Sequence, residues 1–257
     1  MPWELLPLLP LGILAGLLSG LLGIGGGLIF SPLLLAIGLA PHQALATSTL
    51  AIVPTTAAGT LTHLRSGRLA PASAVAMASG AVVFGVLFSR LGGRLVGWQL
   101  LLLQALLYAL LAVTIRARPD ADEAAGDGAP APAPVAGLLL VGSIAGLASG
   151  MLGVGGGLVM VPLLVAGLQQ PIHQAVRLST VAVLAAACGA SAQFLAVGRG
   201  LPGPALVLGI SAACGARWAA RRLQGMPPRR IAQGLRLMTV VLAVDSGRRA
   251  LQLWLQG

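Results

Sequence analysis

The stretch GLLSGLLGIGGGLIFSPLLL, Gly16–Leu35, decides the fold of this chain because a glycine cluster interrupts a strongly apolar run. A related stretch, GLASGMLGVGGGLVMVPLLV, follows at Gly146–Val165. Between residues 15–28 and 145–158, 11 of 14 positions are identical at a constant offset of 130 residues. Each glycine costs about 1 kcal/mol in a helix relative to alanine. A cluster that occurs twice therefore indicates a structural or functional requirement.

The composition excludes a soluble domain. Hydrophobic residues make up 57% of the 257 positions, charged residues only 9%, and the mean hydropathy is +0.93. A folded soluble domain of this size cannot hide that much apolar surface from water. Apolar runs of about 18 to 20 residues, long enough to cross a bilayer as helices, recur along the chain and do not alternate with polar residues. The sequence predicts an all-α, polytopic membrane protein.

The net charge of +10 comes from 16 arginines set against six acidic residues. Most of these arginines lie in short segments between apolar runs, as do Arg65 and Arg68 or Arg90 and Arg94. Such flanks set membrane topology, and membrane lipid phosphates are their expected partners. We expect no nucleic-acid partner, because the chain has no soluble basic domain to carry one.

The chain divides into two similar halves. We predict a first transmembrane repeat over residues 1–115, a soluble flexible loop over 116–134 and a second transmembrane repeat over 135–257. The loop holds four of the six acidic residues and an Ala-Pro alternation. Beyond the glycine motif, PHQALATST (Pro41–Thr49) aligns with PIHQAVRLST (Pro171–Thr180) after one inserted residue. Internal duplication of this kind is common in secondary transporters.

Each half contains four apolar segments, and the first of them is too long for one crossing. The segments are 5–39, 42–64, 70–90 and 98–115, then 135–168, 173–197, 202–220 and 231–251. Residues 5–39 would form a helix of roughly 50 Å at about 1.5 Å per residue. A break at the glycine cluster would give two half-helices, and the free backbone N–H groups of the second could hold an anion. Alternatively, the glycines only allow close helix packing.

Two topologies are open. If each glycine-broken segment re-enters, each half crosses three times, the repeats are inverted, and the loop arginines divide 8 to 5 between the two sides. If each broken segment crosses fully, each half crosses four times and the division is 7 to 6. The positive-inside rule favours inversion by a small margin.

Several motifs follow one another in a fixed order: GxGGGxxxxPxL, PxxAxATS and HxxxG, with the set repeated in weaker form in the second half. In the first half the matching residues are Gly25, Gly26, Gly27, Pro32, Ala46, Thr47, Ser48 and His63. In the second half they are Gly155, Gly156, Gly157, Pro162, Ser179 and Thr180. Across nearly the whole chain, this order resembles the sulfite exporter TauE/SafE family of bacterial inner-membrane proteins.

The resemblance implies seven to eight membrane segments and transport of small sulfur-containing anions such as sulfite or sulfoacetate. The second half departs from the pattern at two places. It has Arg177 and Leu178 where the first half has Ala46 and Thr47, and Phe194 where the first half has His63. Whether the two halves contribute equally to one site is therefore open.

The candidate substrate-binding residues combine the glycines with nearby polar side chains. They are Gly25, Gly26, Gly27, Ser48, Thr49, His63, Gly155, Gly156, Gly157, Arg177, Ser179 and Thr180. Each polar member has an alternative role: the hydroxyls can bond back to their own helix, His63 can be an interfacial histidine, and Arg177 can extend to the interface. Arg177 and Thr180 share a helix face, so both could contact one ligand oxygen. The sequence predicts neither a metal site nor a cofactor.

These features favour a secondary transporter for small anions, with a proton or another ion as the candidate for coupling. An intramembrane enzyme would need a paired nucleophile and base or metal ligands, and the sequence has neither HExxH nor GxSxG. Asp245 precedes Arg248 and Arg249 at helical spacing, which predicts a local ion pair rather than a coupling site. The remaining alternative is a non-transporting membrane subunit or receptor of a multi-protein complex.

Overall fold

In a computed structural model, the described residues are 8–22, 27–65, 70–114, 133–222 and 228–256. They form ten α-helices and, within these ranges, no β-strand. The helices are α1 (Leu8–Leu22), α2 (Gly27–Ala36), α3 (Pro41–Arg65), α4 (Pro71–Gly92), α5 (Gly97–Thr114), α6 (Val135–Gly150), α7 (Gly157–Pro162), α8 (Ile172–Ala196), α9 (Pro202–Arg222) and α10 (Pro228–Gln256). The predicted all-helical class is confirmed.

Proline shapes the ends and the interior of several helices. Pro71 is the first residue of α4, where its missing N–H removes no intrahelical hydrogen bond. Pro162 ends α7, and the chain continues directly into a π-helical turn over Leu163–Gly167. This wider turn follows a residue that cannot donate to the helix, and it is closed by the Leu168 amide at 3.2 Å from the Leu163 carbonyl.

Glycine lets two pairs of helices pack at backbone contact. Gly146 of α6 lies against α4 so closely that an added Cβ would be 2.6 Å from the amide nitrogen of Gly85. Gly16 of α1 lies in the same way against the backbone of Ala212 in α9. Small residues at such interfaces are typical of helix association in membranes. Gly16 therefore has the role in close helix packing that is the alternative interpretation of the glycines.

The outer surface of the helices is apolar. Exposed side chains include Val75 on α4 at 68% and Val113 on α5 at 66% of their full accessible area. Within the described residues, three helical stretches are long and apolar enough to cross a membrane: Pro41–Arg65, Pro71–Gly92 and Gln174–Ala196. An apolar exterior of this kind suits lipid rather than water, as expected of a membrane protein.

Contacts near the helix ends fix the relative direction of α3 and α8. The end of α4 meets the segment after α8, where Arg199 Nη2 lies 3.1 Å from the Gly93 carbonyl oxygen. The start of α9 meets the start of α3, where the Leu201 amide lies 3.2 Å from Thr47 Oγ1. Near the other end of α3, a Cβ on Gly59 would lie 3.1 Å from Thr180 Cγ2, early in α8. Helices α3 and α8 therefore run antiparallel.

Two parts of the sequence analysis fall outside the described residues. They are the glycines Gly25 and Gly26 and residues 116–132 of the predicted soluble loop. The division into two repeats joined by that loop stays a prediction.

Candidate functional site

The glycine segment of the second half lies between α6 and α7. Helix α6 ends at Gly150 and α7 begins at Gly157. Three glycines between them are left-handed, with φ of 65° at Gly153, 82° at Gly155 and 67° at Gly156. Residues with a side chain rarely adopt this backbone conformation, so the sharp turn requires glycine. All three glycines are buried.

The start of α2 packs against this segment. Gly27, the first residue of α2, faces the carbonyl group of Val154 with no room for a side chain. A Cβ on Gly155 would lie 3.8 Å from the Cα atom of Gly27 and 3.2 Å from Ile52 Cδ1. The structure thus brings together two predicted site glycines, Gly27 and Gly155, from different halves of the chain.

Ser48 and Thr49 connect α3 to the same segment. The Ser48 hydroxyl donates to the Gly153 carbonyl oxygen at 2.7 Å. The Thr49 hydroxyl lies 3.1 Å from the Ser149 carbonyl oxygen and 2.9 Å from that of Leu45 in its own helix. Both hydroxyls are fully buried. In this arrangement they hold the backbone around the second glycine segment, because satisfying a buried carbonyl is favourable.

Ser179 and Thr180 on α8 bond differently. Both hydroxyls donate to the carbonyl oxygen of Val176, at 2.9 Å and 2.8 Å respectively. This is the bond to the preceding turn that was the alternative to ligand contact. Their predicted role in substrate binding stays a prediction.

His63 and Arg177 come from different halves and lie near each other. His63 is close to the end of α3 and Arg177 is in the second turn of α8, and both are half-buried. The positive charge of Arg177 acts on the His63 imidazole. Thr180, three residues after Arg177, packs on Gly59 of α3, four residues before His63, so the last part of α3 and the first part of α8 are adjacent.

Comparison with known proteins identifies the family of this chain. The model of the sulfite exporter TauE/SafE family matches residues 8–246 of the chain. The chain belongs to the TauE/SafE family. The resemblance drawn from the motifs is therefore confirmed, and it covers both glycine segments.

Relatives of this TauE/SafE protein carry transporter names. A probable membrane transporter protein of Xylella fastidiosa strain 9a5c is 34% identical over 179 residues, which is 67% of this chain and 67% of the relative. The protein of the same name from strain Temecula1 has the same identity and coverage. An Arabidopsis thaliana sulfite exporter TauE/SafE family protein 1 is 42% identical over 57 residues, 22% of this chain and 13% of the relative. No solved structure matches the chain.

A cavity of about 210 Å³ in this TauE/SafE protein was not anticipated from the sequence. It lies where the ends of α4 and α8 meet, and three arginines line it: Arg90, Arg94 and Arg199. The sequence assigns these arginines to membrane topology alone, since nothing local shows that residues more than 100 positions apart share one cavity. A much smaller cavity of about 10 Å³ lies next to it and reaches Gly150 and Met151, where the second glycine segment begins.

A buried polar network, also missed from the sequence, ties α5 to α2 of this TauE/SafE protein. Gln104 Nε2 lies 2.8 Å from Ser31 Oγ and 3.0 Å from the Tyr108 hydroxyl oxygen. The Tyr108 hydroxyl in turn donates to the Leu28 carbonyl oxygen at 3.0 Å. Since Leu28 directly follows Gly27, this network positions the start of α2 beside the second glycine segment. The four-residue spacing of Gln104 and Tyr108 on one helix face was its only sequence signal.

Proposed function

We propose that this TauE/SafE protein is a secondary transporter that exports small anions, such as sulfite, sulfoacetate or a related organosulfur anion, across the bacterial inner membrane. The observation that carries the proposal is the family match over residues 8–246. Relatives named probable membrane transporter protein and sulfite exporter TauE/SafE family protein 1 support it. A multi-pass arrangement in that membrane accords with the apolar helices among the described residues.

The proposed substrate site lies between the glycine segments of the two halves, which we interpret as breaks in re-entrant helices. The contact of Gly27 with the segment around Gly155 supports one shared site rather than two separate ones. Backbone N–H groups at such a break can hold an anion without a charged side chain. Relative movement of the two halves would then open this site to each side of the membrane in turn, which is alternating access.

We further propose that the two halves are inverted repeats. With re-entrant segments, the ends of α4 and α8 lie on one side of the membrane, and the end of α3 and the start of α8 lie on the other. With full crossings, each of these pairs would be separated by the bilayer. The Arg199–Gly93 hydrogen bond and the packing of Gly59 in α3 against Thr180 in α8 therefore support inversion. An inverted repeat is a frequent basis for alternating access.

The direct test of transport is anion flux through the purified full-length chain in liposomes. We expect sulfite-loaded vesicles to lose sulfite faster than protein-free vesicles, with external sulfoacetate competing for the site. A proton gradient set across the same vesicles should change the rate if a proton is the coupling ion. If correctly folded protein carries no anion in either direction, the chain is instead a non-transporting subunit or receptor.

Labelling of single cysteines tests the inverted topology. The native Cys188 and Cys214 are free and exposed, so both are first replaced by alanine. In that background, cysteines at positions 94 and 197 should react with a membrane-impermeant maleimide from the same side, and a cysteine at position 65 from the opposite side. Labelling of positions 94 and 197 from opposite sides would instead establish full crossings.

A further inference from the structure

The cavity between α4 and α8 brings three positively charged side chains together. Arg90 and Arg94 are exposed at its rim, and Arg199 is half-buried inside it. Gln193 and Ser89 add polar groups to the same lining. A volume of about 210 Å³ is large against the roughly 30 Å³ that one water occupies in the liquid. A small oxyanion with several waters would fit.

No carboxylate balances this charge within the part of the chain that the structure describes. The one acidic residue there is Asp245, and Arg248 and Arg249 already hold it at 3.1 Å and 2.8 Å. Three guanidinium groups around one cavity repel one another, and an anion between them would relieve that repulsion.

The arginines also keep hydrogen-bond donors for a ligand. Arg90 Nε donates to Gln193 Oε1 at 3.2 Å, and Arg199 Nη2 donates to the Gly93 carbonyl oxygen at 3.1 Å. A guanidinium group carries five N–H donors, so each of these bonds occupies only one of them. The fork geometry of arginine suits the oxygens of a tetrahedral or pyramidal oxyanion.

Arg199 joins the cavity to the interior of the protein. It lines both the cavity of about 210 Å³, here the outer cavity, and the cavity of about 10 Å³, here the inner cavity. Gly93 and Phe194 also line both cavities. The inner cavity borders Gly150 and Met151, at the start of the second glycine segment. At about 10 Å³ it has no room for an oxyanion, so the way between the outer cavity and the glycine segment is closed in this structure.

We propose that the cavity lined by Arg90, Arg94 and Arg199 is an outer binding site for small inorganic oxyanions, and that Arg199 separates this site from the glycine segment. The inference rests on the proposed transport function and adds a second station to the anion's path. At this station arginine side chains bind the anion, whereas at the glycine segment backbone groups would bind it. Neither the motifs nor the duplication point to this site.

Equilibrium binding to the full-length chain tests the proposal. The protein is placed in nanodiscs of zwitterionic phosphatidylcholine and titrated with sulfite, and with sulfate as an unreactive analogue, by calorimetry. Hydrogen bonds to charged groups contribute about 1.5–3 kcal/mol, so Arg94→Gln and Arg199→Gln should each weaken binding about ten-fold or more. The sulfite affinity of Arg199→Lys should lie between those of Arg199→Gln and the wild type, because lysine keeps the charge but lacks the forked guanidinium group.

The matched control is Arg236→Gln, which removes the same charge from an exposed position on α10 outside the cavity. We expect this variant to bind sulfite as the wild type does. If Arg94→Gln and Arg199→Gln bind no more weakly than Arg236→Gln, the proposal is overturned. An equal loss in all three variants would also overturn it, because it would indicate a general charge effect.

A lipid phosphate has similar oxygens, so the same titration is repeated in nanodiscs that contain phosphatidylglycerol. Sulfite binding that is retained with this lipid supports a site for free anions, whereas complete displacement of sulfite by the lipid would overturn it.

Flux in liposomes separates this proposal from the transport function. If the wild type transports sulfite and both Arg94→Gln and Arg199→Gln keep its KM, the proposed outer binding site is wrong and the proposed transport function is supported. If the wild type transports no anion but binds sulfite through these arginines, the proposed transport function is wrong and the proposed binding site is supported.

Discussion

Ser48 and Thr49 on α3 and Ser179 and Thr180 on α8 hold matching positions in the two halves, yet their hydrogen bonds differ. The Ser48 hydroxyl reaches across to Gly153 at 2.7 Å, whereas those of Ser179 and Thr180 turn back to Val176 in their own helix. One pair therefore bonds to the backbone of the opposite half, at its glycine segment. The other lies beside Arg177, which has no counterpart in the first half, where Ala46 stands. A duplicated motif can thus be structural in one copy and open to a different role in the other.

The largest effect is expected at the residue that makes the halves unequal. Arg177→Ala gives α8 the residue type that α3 has at the matching position, and we expect it nearly to abolish substrate binding and transport. Arg177→Lys should weaken binding less, because it keeps the charge but not the fork. Substrate affinity, measured by flux or by thermal-shift titration in detergent, checks this. Arg65→Ala, at the exposed end of α3, is the matched control and should leave affinity unchanged. Wild-type affinity in Arg177→Ala would assign the residue to the interface alone.

The next largest effect is expected at the acceptor of the Ser48 bond. Gly153→Ala would force alanine to adopt a φ of 65° and place a Cβ 2.7 Å from the Leu45 carbonyl oxygen. Left-handed backbone costs about 1–2 kcal/mol and overpacking about 1–3 kcal/mol. We expect the free energy of unfolding, from denaturant titration in mixed micelles, to fall by about 2–5 kcal/mol.

Gly38→Ala is the control for that measurement. Gly38 has a φ of 93°, and no atom lies within 4 Å of an added Cβ, so only the backbone cost applies. Equal losses in the two variants would mean that the contact between α3 and the glycine segment adds nothing to stability.

The same reasoning bears on Gly156→Leu, because a Cβ there would lie 2.8 Å from the Ala145 Cα atom. A loss of transport in Gly156→Leu is expected, but it would not by itself separate substrate binding from folding.

A smaller difference should separate the two serines directly. Ser48→Ala leaves the buried Gly153 carbonyl without its hydroxyl donor, which costs about 1–3 kcal/mol. Ser179→Ala should cost less than about 1 kcal/mol, because the Thr180 hydroxyl also donates to the Val176 carbonyl oxygen. Thermal unfolding of the two single variants under the same detergent conditions measures the difference. If Ser179→Ala lowers the unfolding temperature more than Ser48→Ala does, the serines of the two halves do not differ in the way described.

The smallest effect is expected in the link between the halves. Residues 121–132 have few large apolar side chains and carry proline and charge, so a partial deletion there should leave transport close to wild type. The contacts that distinguish α3 from α8 do not involve this link. Proteolysis of the intact protein offers a second readout, with cleavage expected inside the segment. Strong protection, or loss of transport after a short deletion, would show that the segment docks onto the helices.

Features that depend on local sequence were predictable. The apolar runs gave the helical membrane class, and segment 202–220, for example, corresponds to α9 at Pro202–Arg222. The ion pair of Asp245 with Arg248 and Arg249 is confirmed, since residues three and four apart on a helix necessarily face each other. The family was recognisable because its motifs and their duplication lie in the order of the chain.

Features that depend on the meeting of distant segments were not predictable. Gly93 and Arg199 are 106 positions apart, and only the packing of α4 against α8 with their C-terminal ends together makes their hydrogen bond and the cavity beside it. The Ser48–Gly153 bond is similar: a hydroxyl in an apolar helix can bond to its own turn or to a neighbour, and sequence alone does not choose. For the same reason the sequence is compatible with two topologies.

Tyr108, which anchors the start of α2 through the Leu28 carbonyl, is the only tyrosine in the chain. Biosynthetic replacement of tyrosine by 3-fluorotyrosine would therefore place a single fluorine nucleus beside the glycine segments without any mutation. Its chemical shift would report whether the hydroxyl keeps its bond to Leu28. Recorded while sulfite is added, one resonance could follow the start of α2 through a transport cycle, and peak splitting would count its conformations.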